Sequence, residues 1–83
     1  MNQIDSLDFE RGMREGRECF YDVYGLGELP TPREVVSTIE ENLSPQALMR
    51  EQVYAQVAGL DPIPYSYRVG FVLSWLGTFV SAN

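Results

Sequence analysis

RVGFVLSWLGTFVSAN, residues 68–83, contains one charged side chain, Arg68, in sixteen positions, although the whole chain has a formal net charge of -6. On a helical wheel the stretch separates into a broad apolar arc and a stripe of small residues, Gly70, Ser74, Gly77 and Ser81. A helix that is apolar over more than half of its circumference is buried on several sides. The stretch therefore predicts a central hydrophobic helix on which the rest of the chain packs.

The small stripe predicts a close contact between helices. Glycine in a helix interior costs roughly 1 kcal/mol relative to alanine, so two glycines in phase with two serines indicate that another backbone approaches there. The first helix carries a complementary pair of glycines, four residues apart, and we expect it to pack on the stripe. The alternative is that the chain self-associates through the part of this helix that the other helices leave uncovered. The residues predicted for helix packing or a dimer are Gly12, Gly16, Gly70, Ser74, Trp75 and Gly77.

The first helix is predicted over residues 6–24, where apolar and small side chains recur at helical spacing. Its other side is charged and contains the i,i+4 pairs Glu10/Arg14, Arg11/Glu15 and Arg14/Glu18. Such pairs stabilise a helix slightly and neutralise part of its acidic side. Gly25 is expected to supply the left-handed residue that ends this helix.

Two further helices begin at a hydroxyl residue followed by proline, a pattern typical of helix N-termini. The segment 31–34, Thr-Pro-Arg-Glu, is a capping box and predicts a helix over 32–42. Ser44 and Pro45 predict a third helix over 45–58 that stops at Gly59. Its weak apolar stripe comprises Met49, Val53 and Val57.

The stiff connector 61–64, Asp-Pro-Ile-Pro, separates these helices from the last one, predicted over 64–81. No strand pattern competes seriously with the helical pattern. The expected fold is therefore all-α: a small four-helix domain over residues 1–83 with a central hydrophobic C-terminal helix.

Composition predicts a cytoplasmic protein that does not associate with membranes. Cys19 is the single cysteine, so no intramolecular disulfide can form, which is typical of a reducing compartment. Residues 1–10 show neither a basic segment nor an apolar run, so we expect no secretory signal. The uncharged run 69–80 would rise roughly 18 Å as a helix, too little for a hydrocarbon core of about 30 Å.

The charge is uneven along the chain. Residues 1–42 hold ten acidic residues and four arginines, whereas residues 43–83 hold two of each. The chain has neither lysine nor histidine, so direct binding to a phosphate backbone is not expected. A basic protein is the partner that this charge distribution favours.

The residue types also argue against catalysis. Without histidine the chain cannot build a Ser-His-Asp or Cys-His arrangement, and one cysteine cannot form a thiolate metal cluster. Glycosidase chemistry needs two carboxylates that face each other across a cleft, which an outward stripe on one helix does not provide. We therefore expect no enzyme activity, no cofactor and no metal site.

One group of residues is predicted to bind the partner. Carboxylates recur along one side of the first helix, two more lie on the second helix, and one tyrosine of the third helix has no obvious place in the core. These residues are Asp8, Glu15, Glu18, Asp22, Glu40, Glu41 and Tyr54. A line of carboxylates can imitate a nucleic acid, but arginines 11, 14 and 17 on the same helix favour the alternative of a solvated, ion-paired face.

The sequence thus predicts a small acidic protein that binds another protein. The sharpest version is an inhibitor, of the type encoded by phages or mobile elements, that targets a basic nucleic-acid-handling protein. The alternative is a structural homo-oligomer in which the last helix forms the core of a dimer.

Overall fold

The computed structural model describes residues 5–25 and 27–82. It contains four helices, α1 (Ser6–Val23), α2 (Pro32–Leu43), α3 (Pro45–Ala58) and α4 (Tyr65–Ala82). Those two ranges contain no strand, and the prediction of an all-α four-helix fold is confirmed. Each helix boundary lies within one residue of its predicted position.

Local capping explains where the middle helices begin and end. The Thr31 side chain accepts a hydrogen bond from the Glu34 amide, and the Glu34 carboxylate accepts one from the Thr31 amide, which completes the capping box. The Ser44 hydroxyl accepts from the Ala47 amide at 3.1 Å. Gly59 ends α3 in the left-handed conformation, at φ 70°. These features follow from residues close together in the chain.

The predicted role of Gly25 is wrong. Among the described glycines only Gly27 and Gly59 have positive φ. Tyr24 ends α1 at φ -111°, ψ 86°, and its amide donates to the Phe20 carbonyl. The Tyr24 ring packs against Phe20 and Trp75, at centroid distances of 5.2 and 6.0 Å.

Helices α1 and α4 run side by side in the same direction. At their N-terminal ends the Asp5 amide donates to the Ser66 hydroxyl at 2.7 Å, and the Asp5 carboxylate caps α1. Near their C-terminal ends the Phe20 and Trp75 rings pack edge to face, 5.3 Å apart. The first and last helices of the chain therefore form a parallel pair.

Glycines allow the two backbones of this pair to touch. A Cβ atom at Gly12 would lie 2.9 Å from the Phe71 amide nitrogen, and closer still to the Tyr67 carbonyl oxygen. A Cβ at Gly70 would lie 3.1 Å from the carbonyl carbon of Phe9. Gly16 is similarly close to the backbone of Phe71. At each of these positions the neighbouring atoms are backbone, which cannot move aside as a flexible side chain would.

Helix α4 is the centre of the fold. It packs on α1 and on α2, whereas α3 packs on α2, and among the described residues these are the only pairs of helices whose backbones lie close together. Trp75 and Val72 of α4 and Phe20 of α1 are almost completely buried. No helix in the described part of the chain is long and apolar enough to cross a membrane.

Helix α3 turns its predicted apolar stripe outward. Met49, Val53 and Val57 are 66%, 55% and 83% exposed, whereas Ala47 and Ala55 are buried. The two alanines lie on the side of the helix opposite the predicted stripe. Small side chains allow a helix to pack closely, and here the alanine side is the buried one. The outer side of α3 is thus apolar and exposed.

Two glycines of α4 provide a matched test of the packing. Gly70→Ala should lower the free energy of unfolding by about 1–3 kcal/mol, because the added methyl collides with the backbone of α1. Gly77→Ala meets no atom within 4 Å, so it should raise stability by about 0.5–1 kcal/mol through helix propensity alone. Urea unfolding followed by Trp75 fluorescence measures both, and equal stabilisation by the two variants would contradict the close contact.

Candidate interaction surface

Helical geometry places four of the predicted carboxylates along one flank of α1. Glu18 and Asp22 are exposed, whereas Asp8 and Glu15 are half-buried and make contacts within the molecule. We call Asp8, Glu15, Glu18 and Asp22 the acidic flank. Its two exposed members lie in the C-terminal half of the helix and are the ones that a partner could reach most directly.

The ion pairs predicted for α1 do not form. Within the described ranges the only ion pair on α1 joins Arg11 Nη2 to Asp8 Oδ1, at 3.7 Å. Glu18 and Asp22 therefore have no arginine within ion-pair distance, even though the helix carries three arginines. An exposed i,i+3 pair of this kind contributes at most about 1 kcal/mol.

Glu15 connects the acidic flank to α4. The Tyr67 hydroxyl donates to Glu15 Oε1 at 2.8 Å, and the Arg11 guanidinium carbon lies 5.0 Å from the centre of the Tyr67 ring. Burial and the hydrogen bond to Glu15 raise the pKa of Tyr67 to about 12. Glu15 thus has a structural role in addition to any role on the surface.

The remaining predicted partner residues lie on other helices. Glu40 and Glu41 are exposed on α2, and Tyr54 is exposed on α3. Because α3 packs on α2 and has no helix contact with α1, the described structure does not join Tyr54 to the acidic flank through helix packing. Helices α1 and α2 are linked instead by the Tyr24 hydroxyl, which donates to Glu34 Oε2 at 2.8 Å.

That link also affects the pKa of both groups. Burial, followed by the hydrogen bond to Glu34, raises the pKa of Tyr24 to about 12. The hydrogen bonds from the Thr31 amide and from Tyr24 lower the pKa of Glu34. The Glu34 carboxylate therefore caps α2 and accepts from α1 in its ionised form.

Arg68 is a buried junction that sequence reasoning did not identify. The residue is only 7% exposed. Its Nη1 donates to the carbonyl of Asn42 at 3.2 Å and to that of Glu41 at 3.5 Å, which satisfies carbonyls left free at the end of α2. Its Nη2 lies 3.5 Å from Glu51 Oε2 on α3. One side chain of α4 therefore joins three helices.

Two sequence features signal this junction. Arg68 is the only charge in an otherwise uncharged stretch, and α2 has no basic residue in its last turn. The free carbonyls of α2 therefore have no cation on their own last turn, and Arg68 is a cation that could reach them from another helix. Glu51 completes the junction, since its Oε1 accepts from the Ile63 amide at 3.4 Å and so ties the 61–64 connector to α3.

The residues predicted for helix packing or a dimer do not all lie in one contact. Gly12, Gly16 and Gly70 are buried between α1 and α4, and Ser74 and Trp75 are also buried. Gly77 is exposed, and a Cβ added to it would meet no atom within 4 Å. Leu73 and Val80 of α4 are exposed as well, so part of the central helix remains uncovered by the described residues.

Reactive and metal-binding chemistry finds little support in the described residues. Partial burial, followed by the nearby Asp22 carboxylate, raises the pKa of the Cys19 thiol and so disfavours the nucleophilic thiolate. The described ranges contain no group of three or more potential metal ligands.

Comparison with protein-family models, with curated proteins and with solved structures finds no match for this chain. Its function is therefore inferred from its own residues.

Replacing Arg68 should loosen the attachment of α2 and α3 to α4. Arg68→Leu is expected to lower the free energy of unfolding by about 3 kcal/mol, since it leaves Glu51 and two carbonyls without their partner. Arg68→Lys should recover only part of this loss, because an ammonium lacks the planar fork that serves both sides. Arg50→Leu, at an exposed position of α3, is the control. Equal unfolding midpoints for Arg68→Leu and Arg50→Leu would refute the junction.

Alkaline titration should reveal the two constrained tyrosines. Folding holds Tyr24 and Tyr67 in the protonated form, so their contribution to stability is complete below pH 10 and is lost as the pH rises through about 12. Tyrosinate absorbance should show a component that appears only near pH 12. This late component should be smaller in Tyr24→Phe than in wild type, and also smaller in Tyr67→Phe. A late component that is the same in wild type and both variants would show that neither hydroxyl is held in this way.

Proposed function

We propose that this protein binds a basic protein through the acidic flank of α1 together with Glu40 and Glu41 of α2, and that it acts by binding and not by catalysis. The observation that carries the proposal is the exposure of Glu18, Asp22, Glu40 and Glu41 without an ion-paired arginine in the described structure. Exposed carboxylates without an arginine in contact are free to contact the cations of a partner. Arginines 11, 14 and 17 lie on the same helix and offset part of the acidic field.

The proposed target is a protein that handles nucleic acid, and the proposed effect is inhibition. A nucleic-acid-binding site presents clustered lysine and arginine, which a row of carboxylates can occupy in place of phosphates. The net charge of -6 would also speed association with such a site. Inhibitors of this type are expected among the products of phages and other mobile elements. The proposed location is the cytoplasm, in keeping with the single cysteine.

A second candidate function is homo-oligomerisation through α4. Gly77, Leu73 and Val80 are exposed on the otherwise central helix, and Gly77 is not needed for the contact with α1. Glycine lowers helix propensity, and within this chain Gly77 makes no close packing contact in return. The close approach of another backbone, from a second copy, would supply that contact. In this case the acidic surface would serve solubility.

Charge reversal at the exposed end of the acidic flank tests the first proposal. The variant Glu18→Lys/Asp22→Lys should lose at least about tenfold in affinity for the basic partner, because attraction becomes repulsion. The measurement is quantitative capture by the tagged protein from nuclease-treated lysate of the source cell, followed by a nucleic-acid-binding assay of the recovered protein. That assay should show inhibition by the wild type and not by the variant.

The matched control is Glu10→Lys/Asp61→Lys, which changes the net charge equally at exposed positions away from the acidic flank. It should retain most of the binding, and binding by wild type should weaken in high salt. Equal capture by both double variants would overturn the proposal. A stable dimer in sedimentation, with no basic protein recovered, would favour the oligomeric alternative.

A further inference from the structure

A cavity lies where the C-terminal ends of α1 and α4 meet. Its volume is about 540 Å³, within the range of about 300–1,000 Å³ that is common for ligand sites. We call it the aromatic pocket. Its lining includes Phe20, Tyr21, Tyr24, Glu28, Leu29 and Ala82.

Three aromatic residues, Phe20, Tyr21 and Tyr24, contribute to the lining of the aromatic pocket. Phe20 is buried, while the Tyr21 ring is exposed at the edge, and the two rings pack edge to face at 5.8 Å. Tyr24 directs its hydroxyl to Glu34, so the hydroxyl is already committed to a contact within the chain. What the pocket offers to a guest is therefore aromatic and aliphatic surface. Ring faces carry negative potential and attract cations.

The parallel arrangement of α1 and α4 adds a second source of negative potential. Both helices end at this side of the molecule, and each C-terminus carries a partial negative charge of about half an elementary charge. Neither helix has a basic residue in its last turn to offset that charge. An antiparallel pair would have placed a positive helix end here instead.

Glu28 supplies a full negative charge in the same place. It lies in the turn that follows α1, where its amide donates to the Gly25 carbonyl at 3.2 Å. None of the described residues that line the cavity is basic. The chain thus provides an anionic, ring-lined cavity without a cation of its own.

We propose that the aromatic pocket takes one cationic side chain, arginine or lysine, from the basic partner. The aliphatic stem of such a side chain would lie against Tyr21 and Leu29, and its charge would meet Glu28 and the last carbonyls of α1 and α4. A neutral apolar side chain would gain no attraction from Glu28 or the helix C-termini, and an acidic side chain would be repelled by them. This inference rests on the proposed function and adds the chemistry of the anchor to it.

Model peptides test the site apart from any partner. The probes are short blocked alanine peptides with a central arginine, lysine, norleucine or glutamate, together with free arginine. Binding is followed by NMR through the amide signals of Gly25 and Gly27 and the Trp75 indole signal. The arginine and lysine peptides should shift these signals saturably, and the norleucine and glutamate peptides should not. Equal binding of the norleucine peptide would overturn the proposal, since the pocket would then be only apolar.

Variants locate the binding within the pocket. Glu28→Gln and Tyr21→Ala should each weaken the arginine peptide by at least about threefold, whereas Tyr21→Phe, which keeps the ring, should bind like wild type. Glu10→Gln removes the same charge near the other end of α1 and is the control. Glu28 and Tyr21 are exposed, so neither substitution removes a core side chain. Equal weakening by Glu28→Gln and Glu10→Gln would show general charge attraction and would refute the site.

The partner assay separates this inference from the proposed function. Capture of the basic protein should weaken in Glu28→Gln and Tyr21→Ala and remain in Glu10→Gln. If capture depends on Glu18 and Asp22 but is unaffected by Glu28→Gln and Tyr21→Ala, the anchor is wrong and the proposed function stands. If free arginine binds as tightly as the peptide while the protein captures no partner, the site serves a small cation, and both the anchor and the proposed function are wrong.

Discussion

The close contact between the backbones of α1 and α4 is the constraint on which the rest of the fold depends. At Gly12, Gly16 and Gly70 the space that a Cβ would occupy is already taken by backbone atoms of the other helix. This proximity sets the register in which Ser66 meets Asp5 and Trp75 meets Phe20. In a chain of 83 residues, whose core is necessarily small, such close packing provides dispersion contacts that large side chains could not provide at this separation.

The remaining helices are attached to this pair by fewer and more polar contacts. Arg68 reaches from α4 to the free carbonyls of α2 and to Glu51 of α3. Glu34 caps α2 and also accepts from Tyr24 of α1. The molecule is accordingly elongated, with extents of 40 × 25 × 22 Å, and leaves both a charged and an apolar surface uncovered. Those surfaces are the basis of the proposed interactions.

The residues of the candidate surface differ in how far sequence could predict them. Helical spacing alone places Glu15 and Asp22 on one side of α1, because that geometry is local. It could not show that Glu15 is engaged by Tyr67, or that Glu18 lacks an arginine, because side-chain pairing depends on what packs alongside. The aromatic pocket was not predictable, since it requires two helix ends to meet.

The sequence by itself determined the four helices, the caps of α2 and α3 and the presence of a glycine-bearing surface on each of α1 and α4. These features follow from residues within a few positions of one another, whose hydrogen bonds and side-chain spacing are set by local geometry. Only the tertiary structure decided that α1 and α4 are parallel, that α3 buries Ala47 and Ala55 and not its larger side chains, and that Arg68 is buried. Each of these depends on which distant surfaces come into contact, because burial and polar pairing are properties of the neighbours that a residue acquires on folding.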